Sequence, residues 1–461
     1  MAKMLRLIQN EYIKTFRKLS TKIIFILIIV CAAGLVGISK YAEKTINEYY
    51  SEMMSEEDDY DYSYEIQSAE EMKSDGYEFD IAQYRFMQDN KINWFGWKGD
   101  ACNQLFEYTV SDNGTAEYVY SEDTRKELER CIISNDWRGY CEQIVSAMKA
   151  AGLSEESYWE YQYRIDHDIA LPDSYSETSD WKNSVISEIS AAKTMIASME
   201  VVTAEDAKDK AHYEETVTLG MYRLENNVEI NVADCESIFD TEDINFWTVF
   251  CTSSSLVQII GLLIIVITGS ALASEFSQGT IKFLLINPVK RWKILVSKYI
   301  MSITLGYIML LMLYIISALL SIMFFGTSQL GAEYLEVVDD SVRGTSGFLY
   351  VLQNYMLGSV NLVVMATLAF AISSLIRSSS LAIGVSLFAM LSGNTIVLIL
   401  KQALNQDWAR YLIFANTDLA AVANGSTGFS HHSMLFAATV VAVHLIVFFM
   451  IAWDGFIRRE I

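Results

Sequence analysis

Residues 246–273 read FWTVFCTSSSLVQIIGLLIIVITGSALA, a run without a charged side chain. About 20 helical residues cross a bilayer, because a helix rises about 1.5 Å per residue and the hydrocarbon core is about 30 Å thick. The run is therefore long enough for a transmembrane helix. Further uncharged, mainly apolar runs are residues 23–38, 299–325, 348–376, 378–400 and 434–453.

These six runs predict an all-α integral membrane protein with six transmembrane helices in a lipid bilayer. The first run could instead belong to a cleaved signal peptide, although the basic segment before it is long for such a signal. The predicted segments are a cytoplasmic interface helix 1–21, transmembrane helices 22–40, 246–273, 294–325, 348–376, 378–400 and 434–454, an external domain 41–245, a cytoplasmic coupling-helix loop 274–293, an external loop 326–347, an external re-entrant or helical cap 401–433, and a cytoplasmic tail 455–461.

Charge is divided between two regions of the chain. Residues 40–245 contain 17 Lys and Arg against 47 Asp and Glu, a net charge of −30, within a total of −23. Lys and Arg in short loops favour the cytoplasmic side of a membrane. Fourteen of them predict that both termini are cytoplasmic and that residues 41–245 lie outside a bacterial plasma membrane. They are Lys3, Arg6, Lys14, Arg17, Lys18, Lys22, Lys282, Lys290, Arg291, Lys293, Lys298, Arg377, Arg458 and Arg459.

The external domain has a mainly helical pattern with one β element. Apolar and polar residues alternate at Tyr108 and Val110 and again at Tyr118 and Tyr120, on either side of Asn113-Gly114, which predicts a β-hairpin. Helices are predicted over 123–150, 154–170 and 181–224. The domain also contains cysteines that could form two disulfides in an oxidising exterior, with three connectivities open, or could stay free. These cysteines are Cys102, Cys131, Cys141 and Cys235.

The segment before the first apolar run has helical periodicity. Leu5, Ile8, Tyr12, Phe16 and Leu19 recur every three or four residues, and the remaining positions are rich in basic residues. Such a stripe predicts an amphipathic helix in the membrane interface, where anchoring would be a sufficient role.

Residues 274–298 read SEFSQGTIKFLLINPVKRWKILVSK and connect the second and third predicted spans. Ile281, Leu284 and Leu285 share one face of a short helix, and Asn287-Pro288 ends it because proline disfavours the helical region for the residue before it. A short amphipathic helix on the cytoplasmic side needs a partner for its apolar face.

This segment resembles the ABC-2 permease family, whose members have a glutamate, a Gly-Thr pair, a leucine-rich turn, a proline, an arginine and a lysine at these spacings. The C-terminal Trp453-Asp-Gly-Phe-Ile-Arg-Arg459 is also similar to the end of that family. The resemblance covers about residues 1–40 and 246–461 and leaves out the external domain. The matching residues are Glu275, Gly279, Thr280, Leu284, Leu285, Pro288, Arg291 and Lys298.

The resemblance implies that residues 275–291, including Ile281, form a coupling helix that docks on a separate ABC ATPase subunit. The chain has no Gly-x-x-x-x-Gly-Lys-Ser/Thr phosphate loop, so ATP and Mg are expected on that partner. No catalytic residue, metal site, cofactor or nucleic-acid partner is predicted for this chain, and it has no His-Glu-x-x-His motif. A second permease copy or a paralogue is expected, because six spans alone do not enclose a path.

Few polar side chains occur within the predicted spans. Gln258, Asn354, Asn361 and Asn394 are candidates for a translocation path. Hydrogen bonding between helices is the commoner use of such residues, and it is the preferred interpretation at this point.

The function predicted from the resemblance is that of the permease subunit of an ATP-driven exporter. The first alternative is a membrane-anchored sensor or receptor whose acidic external domain binds a ligand, and the second is an integral membrane enzyme. Export of a cationic antimicrobial peptide is one substrate hypothesis, because a domain of net charge −30 concentrates cations. The acidity could equally serve only to keep an external domain soluble.

Overall fold

The computed structural model describes residues 2–55, 61–72, 77–110, 116–173, 180–235, 244–277, 290–339, 341–376, 378–404, 406–423, 427, 429 and 432–458. The described helices are, in chain order, α1 (Ala2–Arg17), α2 (Leu19–Ser55), α3 (Ser63–Met72), α4 (Tyr77–Asn90), α5 (Trp97–Leu105), α6 (Glu122–Ser134), α7 (Trp137–Ala150), α8 (Glu155–His167), α9 (Trp181–Ser198), α10 (Ala204–Asn226), α11 (Phe246–Thr252), α12 (Val257–Ala271), α13 (Ala273–Ser277), α14 (Arg291–Phe325), α15 (Gly347–Leu375), α16 (Ser379–Leu398), α17 (Leu419–Ala423) and α18 (Met434–Ile457). The described strands are β1 (Tyr108–Val110), β2 (Ala116–Tyr118), β3 (Glu333–Val338) and β4 (Ser341–Ser346).

The chain divides into two compact units. The first, here called the membrane unit, comprises residues 1–43, 232–334 and 345–461. The second, here called the acidic unit, comprises residues 44–231 and 335–344.

Among the described residues, six helical segments are long and apolar enough to cross a membrane, which confirms the predicted number and the mainly helical class. The second of them is made of α11, a 3₁₀ turn, α12 and α13 in succession. Their orientation in the membrane stays a prediction. The segments are Leu19–Tyr49, Phe246–Ser277, Arg291–Phe325, Gly347–Leu375, Ser379–Ala403 and Met434–Ile457.

Glycines allow α12 to approach its neighbours closely. A Cβ atom at Gly261 would lie 3.0 Å from Met390, and one at Gly269 would lie 3.0 Å from Ile383. Because the residue numbers rise along α12 while they fall along α16, these two contacts show that the helices run antiparallel. Small residues at helix contacts are typical of membrane proteins, where packing replaces the hydrophobic effect.

Two 3₁₀ helices, Asp407–Tyr411 and Ile413–Asn416, lie in the region predicted to be a re-entrant or helical cap. Ile413 is buried in one cluster with Ile265 and Val441, both of which belong to predicted spans. Phe414, which follows it, packs directly against the backbone of Gly393 in α16. Part of this segment therefore packs into the helix bundle.

The core of the acidic unit is built by α4, α5, α6 and α7. It includes Trp97, Leu105, Leu128, Ile132 and Ile144, all of them buried. The predicted hairpin is confirmed, since β1 pairs antiparallel with β2, and Tyr108 lies opposite Tyr118. The turn residues 111–115 lie outside the described residues.

The single helix predicted over 123–150 is wrong. The chain forms α6 and α7 there, separated at Asn135, which has a left-handed conformation with φ 57°. Asp136 begins the next helix, because its carboxylate accepts a hydrogen bond from the Gly139 amide at 2.9 Å. The predicted helix 181–224 is likewise two helices, α9 and α10, and Thr203 caps the second of them.

Within the described structure no disulfide joins the four cysteines of the predicted external domain, and Cys102, Cys131 and Cys141 are free thiols. Cys102, Cys131 and Cys141 are fully buried in the core of the acidic unit. Burial raises the pKa of the Cys102 and Cys141 thiols to about 12. These thiols fill apolar space rather than link the chain.

Candidate functional site

A buried cluster of three charged side chains joins α1, α13 and α14. The Lys298 ammonium lies 2.9 Å from a Glu11 carboxylate oxygen and 3.1 Å from a Glu275 carboxylate oxygen. The Lys298, Glu11 and Glu275 side chains are 5%, 10% and 15% exposed, respectively. Burying three charges is costly, and each of them is tolerated only because the others are present. These three residues are called the charge cluster below.

Helix α1 is held against α14 by its polar face. Beyond Glu11, the Tyr12 hydroxyl is hydrogen-bonded to Thr304, and the Thr15 hydroxyl donates to the Met301 sulfur at 3.6 Å. The partners on α14 are spaced three residues apart, at 298, 301 and 304, so that they line one side of the helix.

Only part of the apolar stripe predicted for the N-terminal segment lies at the contact with α14, since Tyr12 is its one member hydrogen-bonded there. Leu5, Phe16 and Leu19 are exposed, while Ile8 and Tyr12 are half-buried. Because α14 contacts only the side of α1 that carries Glu11, Tyr12 and Thr15, the exposed apolar side chains are available to a bilayer.

A break at the end of the second span places Glu275 in the charge cluster. Helix α12 ends at Ala271, and the backbone N–H groups of Leu272 and Ala273 both donate to the Ser373 hydroxyl, at 3.2 and 3.0 Å. Ser373 is fully buried on α15. The Ser373 hydroxyl thus accepts hydrogen bonds from the two amides that the break leaves without partners in the helix. Helix α13, which contains Glu275, follows the break.

Arg291 anchors the first residue of α14. Its guanidinium donates to the Ile457 carbonyl at 3.5 Å, at the C-terminal end of α18. The last carbonyls of a helix lack partners within the helix, and a cation there also meets the negative end of the helix dipole. The sixth span is thereby linked to the start of the third.

Lys18 contributes a further positive charge beside the charge cluster. Desolvation lowers the pKa of the Lys18 ammonium, and the charge of Lys298 lowers it further, while Glu275 and Glu11 act in the opposite direction. Both lysines therefore share the field of the same two carboxylates.

Of the predicted coupling residues, Glu275 and Arg291 lie in the described structure, as does the motif lysine Lys298. The others lie outside the described residues: Gly279, Thr280, Ile281, Leu284, Leu285 and Pro288. The structure thus defines both ends of the segment 278–289, and the 3.1 Å contact between Glu275 and Lys298 connects the two ends.

The predicted path residues have no side-chain hydrogen bond within the described part of the chain. Asn354 and Asn361 are two turns apart on one face of α15, and the Asn361 side-chain oxygen is buried without a partner there. Polar groups of this kind within a predicted span are functional candidates.

Gln258 and Asn394 lie at the same level on neighbouring helices. Gln258 is one turn before Gly261 on α12. Asn394 is one turn after Met390 on α16, which runs antiparallel to α12 and contacts Gly261 through Met390. Gln258 and Asn394 therefore lie on the same side of the contact between Gly261 and Met390. Both side chains are exposed on the single chain. The interhelical bonding preferred from the sequence is not formed within the described chain.

Sequence reasoning missed Glu11 and Ser373. Glu11 had a signal, because it is the one acidic residue in the first 42 positions, within a strongly basic segment. Ser373 had none, since a serine in an apolar run is common and its partners are backbone amides of another helix.

The fold and the charge cluster define a multi-pass membrane protein whose N-terminal helix, second span and third span are joined by buried ion pairs. Residues 216–461 match the family described as "Protein of unknown function (DUF2705)", and the chain belongs to that family.

Two relatives come from Bacillus subtilis (strain 168). "Uncharacterized protein YhcI" is 34% identical over 259 residues, covering 56% of this chain and 79% of that protein. "Uncharacterized membrane protein YdbK" is 33% identical over 222 residues, covering 48% of this chain and 85% of that protein. No solved structure matches the chain.

Proposed function

We propose that this chain is the permease subunit of an ABC-2-type exporter, driven by an ATPase on a separate polypeptide. The observation that carries the proposal is the contact between the residues that flank the segment 278–289. Glu275 before the segment and Lys298 after it are in contact at 3.1 Å, and both belong to the motif that resembles the ABC-2 family. A force applied to the segment would therefore act on both spans together.

The charge cluster suggests how such a force is distributed. Lys298 also binds Glu11 at 2.9 Å, so displacement of the segment moves α1 together with the second and third spans. Rigid elements joined in this way shift as a body, which is a common means of domain motion. Arg291 extends the connection to α18.

A dimer is part of the proposal. Gln258 and Asn394 are exposed at one level of the single chain, where contact with lipid would be unfavourable. A second copy or a paralogue that covers them would enclose a polar path.

The first test is the orientation of the segment. A membrane-impermeant maleimide should label Lys282→Cys only from the cytoplasmic side and Ser328→Cys, in the loop 326–347, only from outside. The unsubstituted chain is the control for the native thiols. Labelling of residue 282 from outside only would invert the topology and exclude docking of a cytoplasmic ATPase.

The second test is coupling to ATP hydrolysis. Purified together with its expected ATPase partner, the chain should support vanadate-sensitive hydrolysis. Leu284→Glu should abolish this hydrolysis by placing a charge on the predicted docking face. Lys282→Gln, outside the apolar face of the same predicted helix, is the matched control. Equal activity of the two variants, or no ATPase in the complex, would contradict the proposal.

The same preparation separates the alternatives. A receptor would bind its ligand through the external domain with residues 278–289 deleted, and a membrane enzyme would stay active without the ATPase. For the substrate, transport of a cationic antimicrobial peptide would support peptide export. If no such peptide is transported, the acidity of the external domain would be explained by solubility alone.

A further inference from the structure

A pocket of about 610 Å³ lies within the acidic unit, between α5, α7, α8 and α9. Pockets that bind small molecules have volumes of about 300–1,000 Å³, so this one suits a single small molecule or one side chain of a larger ligand. The pocket lies within one unit, and all the residues that line it belong to the described part of the chain.

The positively charged residue that lines the pocket, Arg164, is already hydrogen-bonded to groups of the protein. Arg164 is 2% exposed, and its guanidinium donates to the Glu160 carboxylate at 3.0 Å, to the Ala170 carbonyl at 3.0 Å and to the Asn183 side chain at 2.8 Å. Because most of its five N–H donors are occupied by the protein, Arg164 is poorly suited to bind an anion. Arg164 also forms an ion pair with Glu160.

Asp100 is the charged group that remains. Its side chain forms no hydrogen bond or ion pair within the described structure. Desolvation raises the pKa of the Asp100 carboxyl, and the charge of Glu160 raises it further. Asp100 is an exposed residue at the rim of the pocket, so a cation can reach its carboxylate, and the opposite charge would relieve the unfavourable field of Glu160.

Aromatic rings and an amide complete the wall of the pocket. The Tyr140 hydroxyl donates to the Gln104 side-chain oxygen at 2.7 Å, and the Gln104 amide donates to the Tyr161 hydroxyl at 2.7 Å. These hydrogen bonds fix the Tyr161 ring, and Trp97 is buried against Tyr140, with ring centroids 5.3 Å apart. Fixed aromatic faces attract cations, because the ring face carries partial negative charge.

We propose that this pocket binds an ammonium or guanidinium group, with Asp100 as its counter-ion and the aromatic wall around it. The group belongs either to a free organic amine or to a basic side chain of a peptide. A divalent metal fits less well, because Glu160 is already paired with Arg164 and calcium requires six to eight oxygen ligands. Residues 40–245, which include the pocket and have a net charge of −30, would concentrate such cations near it.

The inference goes beyond the proposed function and is independent of it. The pocket and its charges belong to the acidic unit, whereas ATP coupling concerns residues of the membrane unit. Failure of either proposal leaves the other standing.

The test measures binding to the full chain in nanodiscs of zwitterionic lipid by calorimetry. The probes are Nα-acetyl-lysine amide, its neutral isostere Nα-acetyl-norleucine amide, spermidine, trilysine and calcium chloride. We expect the cationic probes to bind with Kd of about 1 mM or tighter and the isostere not to bind. Asp100→Asn should weaken binding by about tenfold or more, because a charge-assisted contact is lost.

Asp209→Asn is the matched control, since it removes one exposed carboxylate of the same unit outside the pocket. It should change Kd less than about twofold, because screened surface charges contribute little. Thermal unfolding verifies that both variants fold. A higher affinity for trilysine assigns the site to peptides, and a higher affinity for spermidine assigns it to free amines.

Three results would overturn the proposal. One is equal binding of the lysine probe and its neutral isostere. Another is an equal effect of the substitutions at Asp100 and Asp209. The last is binding of calcium alone, or of no probe at all.

Discussion

Replacement of Lys298 by methionine should destabilise the membrane unit more than any substitution of an exposed lysine. The Glu11 and Glu275 oxygens lie at most about 6 Å apart, since each is about 3 Å from the same nitrogen. At an effective dielectric constant of about 20, two like charges at that distance repel by about 3 kcal/mol. Breaking a buried ion pair costs about 3–5 kcal/mol, which is the expected loss.

The assay is thermal unfolding of the full chain in detergent, followed by intrinsic tryptophan fluorescence. At about 2–4 °C per kcal/mol, Lys298→Met should lower the melting temperature by about 6–20 °C. Glu11→Gln should cost about 1–2 kcal/mol, because Lys298 keeps Glu275 as a partner. Lys290→Met, an exposed lysine at the start of the same helix, should have little effect.

A triple variant separates electrostatics from packing. Removing all three charges, as Glu11→Gln, Glu275→Gln and Lys298→Met together, should recover much of the loss, since no unpaired charge stays buried. The reasoning fails if Lys298→Met is no more destabilising than Lys290→Met. It also fails if the triple variant is as unstable as the single one.

Further predictions concern a helix break, the buried thiols and the cap. Ser373→Ala should cost about 1–3 kcal/mol because two buried amides lose their acceptor, whereas Ser374→Ala should cost less, since that hydroxyl donates within its own helix; equal melting temperatures would contradict this. With pKa values of about 12, the Cys102 and Cys141 thiols should be about one part in 10⁴ thiolate at pH 8, so N-ethylmaleimide should not label them in the folded chain at that pH. Labelling should become measurable but slow at higher pH and should be rapid in SDS. Rapid labelling of the native chain, or a mass deficit from disulfides, would contradict burial as free thiols. Gly393→Leu should destabilise by about 1–3 kcal/mol through overlap with the ring of the cap, and the same change at Gly384, where the Cβ has open space, should be milder; the reverse order would contradict the position of the cap.

The transmembrane segments could be predicted because their signal is long and redundant. About 20 apolar residues are needed to cross a bilayer, and a few polar residues such as Gln258 do not obscure the pattern. The hairpin β1–β2 was predictable for a similar reason, since alternation on both sides and Asn113-Gly114 agree.

Breaks within the helices of the acidic unit were harder to predict. At Asn135, one residue with positive φ ends a helix, and the next helix begins two residues later with Asp136 as its cap. The apolar periodicity on both sides continues well enough to suggest a single helix. The signal was the Asn-Asp pair itself, which favours a C-cap followed by an N-cap.

The charge cluster shows which part of a site a family motif can reveal. Glu275 and Lys298 belong to the segment that resembles the ABC-2 family, but the resemblance does not explain why either is needed. The structure supplies the reason, because a buried lysine between two carboxylates is tolerated only when all three are in place. The third member is Glu11, a single acid in a basic helix that is predicted to lie at the cytoplasmic surface, where basic side chains are favoured. An acid retained against that preference is a physical signal of a buried partner, and it can be read from the sequence without any motif.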